Sequence, residues 1–296
     1  MEKELVLSDK SEAKVTEKEV RAMVSLLGDR SLRIRNRVAV SLEKNLNEFA
    51  PLLEDLRDQA DDPLIRERLT LLILLGANTN PSDHWRILLD NMAFSLRDGM
   101  AAISLMDSEE QVTRLELLEQ INNLSDEWME TLTPSMTQED KVNSLMDFLF
   151  VSGRFKGNSE DYYSLDNCYL HRILKKGKGL PVTLCLIAVM LAEEASLPLY
   201  GIGLPLHFIA GHFRGSNGIC FYDCFDSGRE VTPEECVNYL HSRGIFFHPQ
   251  LLSPCDNDAI LQRVLVNIKH IAQRKGLHNQ LESIEELYKV ENPEIY

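Results

Sequence analysis

Gly179-Leu180-Pro181-Val182-Thr183-Leu184-Cys185-Leu186-Ile187, running on through Ala195 to a closing Pro198, is the stretch on which the reading of this chain turns. Proline suits the first turn of a helix, where its missing N–H costs nothing. The residues after it are apolar on every side, so the helix 182–195 is expected to be buried rather than amphipathic. Two β-rich runs follow, Leu199 to Phe213 and Gly218 to Phe225. Gly215-Ser-Asn-Gly218 between them is a hairpin signal. A loop centred near Gly215 would put Asp223 across from His207 on adjacent antiparallel strands. A central helix on a small antiparallel sheet is the expected core.

Outward from this core the chain is helical. Thr16-Glu-Lys-Glu19 is a capping-box pattern, and Val20, Met23, Val24 and Leu27 share the face of the helix it starts. Val38, Leu42, Leu46 and Phe49 mark a second helix. Leu64, Leu69, Leu72 and Leu75 mark another, opened by Asp62-Pro63. Leu32-Arg-Ile-Arg and Leu64-Ile-Arg-Glu resemble each other about 32 residues apart, which suggests either a pair of HEAT-like repeats or a plain bundle. Helices are expected around 85–106, 109–122 and 138–150, and a short one from Asn167 to Lys175. After Asp256, a stripe of Ile260, Val264, Ile268 and Ile271 and a second of Leu281, Ile284 and Leu287 form a helical hairpin around Gly276. The fold class is α+β and mostly α. Its expected parts are a frayed 1–15, a helical region 16–94, a core domain 95–255 and a hairpin 256–296.

Composition narrows the function classes. The 296 residues suffice for roughly two domains. A net charge of −15, from 46 acidic and 31 basic side chains, disfavours nucleic acid and anionic membrane as partners. Met1-Glu-Lys-Glu4 lacks an apolar signal core, so the reading is cytoplasmic, with signal-independent secretion left open. Six scattered cysteines show no metal-ligand spacing, and there is no Gly-rich phosphate loop. The expectation is no metal and no cofactor.

Phe155-Lys-Gly157-Asn158, Tyr162-Tyr163, Asn167, Gly179-Leu-Pro181-Val-Thr-Leu184, Pro205-Leu-His207-Phe208 and Tyr222-Asp223 together resemble the SirB-type bacterial family of the transglutaminase-like superfamily. The resemblance covers roughly residues 95 to 296 and implies a papain-like α+β core with a tetratricopeptide-like tail. Catalytic members carry a cysteine at the start of the central helix. Counting back from Pro198 puts Pro181 on that position, as in the SirB-type family itself. Leu206 stands where that family has glycine, and Cys185 where it has serine.

The candidate site therefore holds His207 and Asp223, a pair able to orient an imidazole, without the nucleophile. Cys185, one turn beyond Pro181 on the same face, is the alternative thiol; with His207 and Asp223 it would make a cysteine hydrolase or acyltransferase. Asn158, Asn167, Tyr163, Pro181 and Thr183 are the candidate cleft residues, with turn, cap and packing roles as the plain alternative for each. The leading expectation is a degenerate, non-catalytic module that binds or regulates a protein partner through its helical regions, since such flanks present concave surfaces.

Overall fold

The computed structural model describes residues 15–91, 95–214 and 218–291. The fold is α+β and mostly α, with thirteen α-helices among those residues. Residues 1–14, residues 92–94 within the helix expected over 85–106, the tip 215–217 and the end of the tail beyond Glu291 lie outside them.

Four helices lead: α1 (Glu17–Leu26), α2 (Leu32–Lys44), α3 (Leu46–Gln59) and α4 (Pro63–Ala77). The Thr16–Glu19 capping box forms, and Asp62 caps α4 with Pro63 in its first turn. The two similar segments open α2 and α4. Every pair among these four helices is in contact, around a core of Val20, Leu42, Phe49, Leu53 and Leu69.

Then come α5 (Pro81–Asp90), α6 (Leu96–Ser104), α7 (Arg114–Met129) and α8 (Gln138–Met146), the last running on into a π turn at Asp147–Val151. The single helix expected over 85–106 is thus two. Asn80 with Pro81 starts one, and Ser95, accepting from the Asp98 N–H, starts the other. The helix expected at 109–122 begins later and runs longer. Asp107 holds the N–H groups of Glu109 and Glu110 in a turn, and the Thr113–Glu116 capping box fixes the true start.

The short strand β1 (Lys156–Gly157) pairs in parallel with β2 (Lys178–Gly179) across a 3₁₀ turn (Leu165–Asn167) and α9 (Leu170–Lys176). Gly157 is required there: a Cβ would come within 2.5 Å of the Phe225 carbonyl oxygen. Next is α10 (Pro181–Glu194), with every residue buried except Glu193. The helix that reads apolar all round is the centre of the molecule.

Strands β3 (Leu199–Ile202), β4 (Ile209–Phe213), β5 (Ile219–Asp223) and β6 (Arg229–Val231) form an antiparallel sheet in sequence order. The run Leu199–Phe213 is therefore two strands. Pro205 cannot donate to a ladder and ends the first. After α11 (Pro233–His241) the chain closes with α12 (Asn257–Lys275) and α13 (His278–Glu291). One continuous core includes Trp85, Trp128, Leu184, Tyr222, Ile268 and Leu287, so the terminal hairpin shares the core of α10. The approach is close enough that a Cβ on Gly99 of α6 would meet Leu261 Cδ1 at 2.2 Å. No helix among the described residues is long and apolar enough to cross a membrane.

Candidate functional site

The site begins with a turn. The Leu204 carbonyl accepts from the His207 N–H at 3.0 Å. Pro205 takes the second position, and Leu206 takes the third with φ of +64°. That is a type II turn, whose third position favours glycine because only there is a positive φ free of strain. Arg263 of α12 fixes the turn from below, donating to the Leu204 carbonyl at 3.3 Å and to that of His207 at 3.5 Å. Tyr239 of α11 fixes it from the side, donating to the Leu206 carbonyl at 3.1 Å.

The turn presents His207 to Asp223. His207 Nε2 lies 2.7 Å from Asp223 Oδ2, while Asp223 Oδ1 accepts from the N–H groups of Phe225 and Asp226. Burial pushes the Asp223 carboxyl up, but the hydrogen bond from His207, its charge and those two N–H groups together hold it below its ordinary value. The register differs from the expected one. Tyr222 pairs with Ala210, so Asp223 falls beside Ile209, and His207 reaches it from the loop ahead of β4 rather than from a facing strand. The Tyr239 ring lies over the imidazole, centroids 5.4 Å apart; sequence alone offered no signal for it.

Cys185 is elsewhere. It is fully buried in α10, and its thiol is pushed well above the ordinary range, by burial first and then by the adjacent Cys224 thiol. Among the described residues His207 makes its side-chain hydrogen bond to Asp223 and none to Cys185. Burial also pushes Cys220 and Cys236 up to about 11. All six cysteines are unbridged, and only Cys255 is partly exposed. Among the described residues no cluster of three metal-ligating side chains occurs.

The remaining cleft candidates have structural occupations. Asn158 Nδ2 donates to Asn167 Oδ1 at 2.9 Å, and Asn167 Nδ2 donates to the carbonyls of Asp161 and Tyr162. Both asparagines are buried and bind the 158–167 loop to itself. Thr183 Oγ1 accepts from the Leu180 N–H and donates to the Asn167 carbonyl, pinning the start of α10 to that loop. Pro181 is buried in the first turn of the helix. Tyr163 alone is exposed, at 37%, and it lines a groove of about 900 Å³ beside the His207 turn. The other walls are Leu180, Pro205, Leu206 and the α12 face that carries Arg263, Val266 and His270. The contribution of α12 was not visible from the sequence, whose apolar stripe points the other way, into the core.

Residues 115–266 match the transglutaminase-like superfamily, and the chain belongs to it. Among curated proteins, F-box only protein 21 of Mus musculus is 26% identical over 147 residues, 47% of this chain and 23% of that one. A UPF0162 protein of Xylella fastidiosa (strain 9a5c) is 28% identical over 137 residues, 44% of this chain and 48% of that one. A UPF0162 protein of Haemophilus influenzae is 25% identical over 141 residues, covering 48% and 52%. The chain thus spans about a quarter of the first relative and about half of the others. No solved structure matches.

Proposed function

We propose that this chain is a degenerate, non-catalytic transglutaminase-like module of SirB type, with α12 and α13 as a tetratricopeptide-like hairpin, and that it acts by binding a protein partner. One observation carries the reading: α10 opens with Pro181, and the first thiol along it, Cys185, is buried against Cys224 with no bond to His207. A cysteine nucleophile acts as thiolate and needs exposure and a lowered pKa. Cys185 has neither. The His207–Asp223 pair then serves structure, tying the turn at Leu206 to the end of β5.

Iodoacetamide labelling followed by mass spectrometry between about pH 5 and 9 tests this on the whole chain. The expected result is slow labelling of Cys185 that is indifferent to His207→Ala and accelerates only in urea. Rapid labelling of the folded protein that disappears in His207→Ala would establish an activated thiolate and overturn the reading.

A further inference from the structure

The groove beside the His207 turn combines exposed apolar side chains with basic ones. Leu206 at 68%, Val266 at 42% and Tyr163 at 37% are three of the large hydrophobic side chains left exposed, and all three line it. Around them the charge is basic, although the chain as a whole carries −15. Arg263, Val266, Asn267, His270 and Arg274 follow one another at helical spacing along one face of α12. Arg274 stacks on Tyr163, its guanidinium 4.2 Å from the ring centroid. His270 meets the edge of the same ring at 5.9 Å. Across the turn, Arg243 lies 3.6 Å from the Tyr239 centroid, and Tyr239 is the residue that grips Leu206. Of the acidic groups around it, Asp223 holds His207 and Asp256 caps α12 by accepting from the Ala259 N–H. Asp258 stands at the same helix start beside Gln262, and exposed Asp161 precedes Tyr162, so the basic character is that of the Arg263–Arg274 face.

We infer that this groove receives an extended peptide segment of a protein partner in which acidic and apolar residues alternate. The inference rests on the binding-module reading and specifies its partner. From Arg263 to Arg274 the helix advances ~16 Å at ~1.5 Å per residue, the length of about five extended residues at ~3.3 Å each. In an extended segment, side chains alternate between two directions. Apolar ones would seat against Leu206, Val266 and Tyr163, and carboxylates would face Arg263, His270, Arg274 and Arg243. A field of this sign attracts acidic ligands and repels basic ones, so the charge pattern of the ligand is the property to test.

The test uses fluorescence anisotropy on the full chain with a labelled probe of about eight residues, alternating glutamate and leucine, and its twin with lysine in place of glutamate. The acidic probe is expected to bind and to weaken as salt rises, and the lysine twin to bind at least tenfold less tightly. Arg274→Glu and, separately, Leu206→Asp are each expected to cost tenfold or more, while Lys18→Glu on the far-off α1 leaves binding unchanged. Circular dichroism confirms that each variant folds. Equal binding of the two probes would overturn the inference. So would absence of binding by the acidic probe, or tighter binding to single-stranded DNA, to phosphatidylserine vesicles or to a second copy of the chain seen by light scattering. Thiol labelling dependent on His207 would sink the non-catalytic reading by itself, whatever the probes do.

Discussion

Glu193 and Glu194 are neighbours at the end of α10 and live in opposite surroundings. Glu194 is buried and receives Asn36 at 2.6 Å, Arg97 at 3.1 Å and Arg37 at 3.3 Å on one oxygen, and Ser125 at 2.6 Å on the other. Glu193 has burial working against its charge and, after that, the negative charge of Glu194; together they push it up to about 7. One residue gathers cations and donors from three other helices, and its neighbour is left to titrate.

Glu193 makes the protein lose stability as pH rises. Its folded value lies above the ordinary carboxylate value of ~4.3, so the neutral acid is what the fold accommodates. That contribution is fully present below the ordinary value and is lost as pH rises through about 7. Glu193→Gln, which mimics the neutral acid, is expected to match the parent near pH 4.5 and to exceed it near pH 8. Urea midpoints at the two pH values check this, and an equal offset at both would contradict it.

Glu194→Ala is expected to cost about 3–5 kcal/mol, because it strands the buried Arg97 guanidinium and removes the acceptor for Asn36 and Ser125. Pairing it with Arg97→Ala should give a double variant well short of the sum of the singles. Additive losses would mean the two side chains are not energetically coupled.

Asp223→Asn is expected to destabilise the protein by about 1–3 kcal/mol at neutral pH, the range for a part-buried hydrogen bond to a charged group. The folded carboxyl sits below its ordinary value, so its contribution is present above ~3.9 and is lost as pH falls through the lower folded value. The gap between parent and variant should therefore narrow progressively as pH falls below ~3.9. Denaturant titrations across that interval provide the measurement; a gap that stays constant would assign the effect to packing.

Leu206 sits at a positive φ that carries about 1–2 kcal/mol of steric cost for a residue with a Cβ. Leu206→Gly removes that cost but adds about 0.5–1 kcal/mol of chain entropy, so its melting temperature should equal or slightly exceed the parent's. Leu206→Val should melt lower than either, since β-branched side chains fit this backbone region worst. Thermal melts of the three proteins decide the order.

The central helix, the Thr16–Glu19 capping box and the hairpin of β4 and β5 were legible because each rests on local chemistry: a proline at a first turn, a Thr–Glu pair and a glycine-rich turn signal. The Thr113–Glu116 box and the division of 199–213 into two strands were not. The His207–Asp223 pair was legible too, although its register was not, since a loop of unknown path separates the imidazole from its strand. The interruption between α5 and α6 was missed because apolar spacing persists across it; only Ser95 and Asp98 mark the new start. Nothing in the sequence marked Glu194, as its partners come from 69 to 158 residues away along the chain. The groove was hidden for the same reason. Leu206, Tyr163 and Arg274 mean little apart, and tertiary packing alone brings them together.

The reach of α2 to Glu194 also governs how the molecule comes apart. Asn36 and Arg37 stand on α2, whose Val38 and Leu42 pack in the leading-helix cluster while its Val40 joins the cluster of α10, and the carboxylate they serve closes α10. Arg114 of α7 likewise holds Glu43 of α2. Peeling away the first four helices would leave these charges in a poorly solvated seam without their counterparts, a state of high free energy. The leading helices and the sheet-bearing half are therefore expected to melt in one cooperative transition, with coincident loss of helical and tryptophan signals.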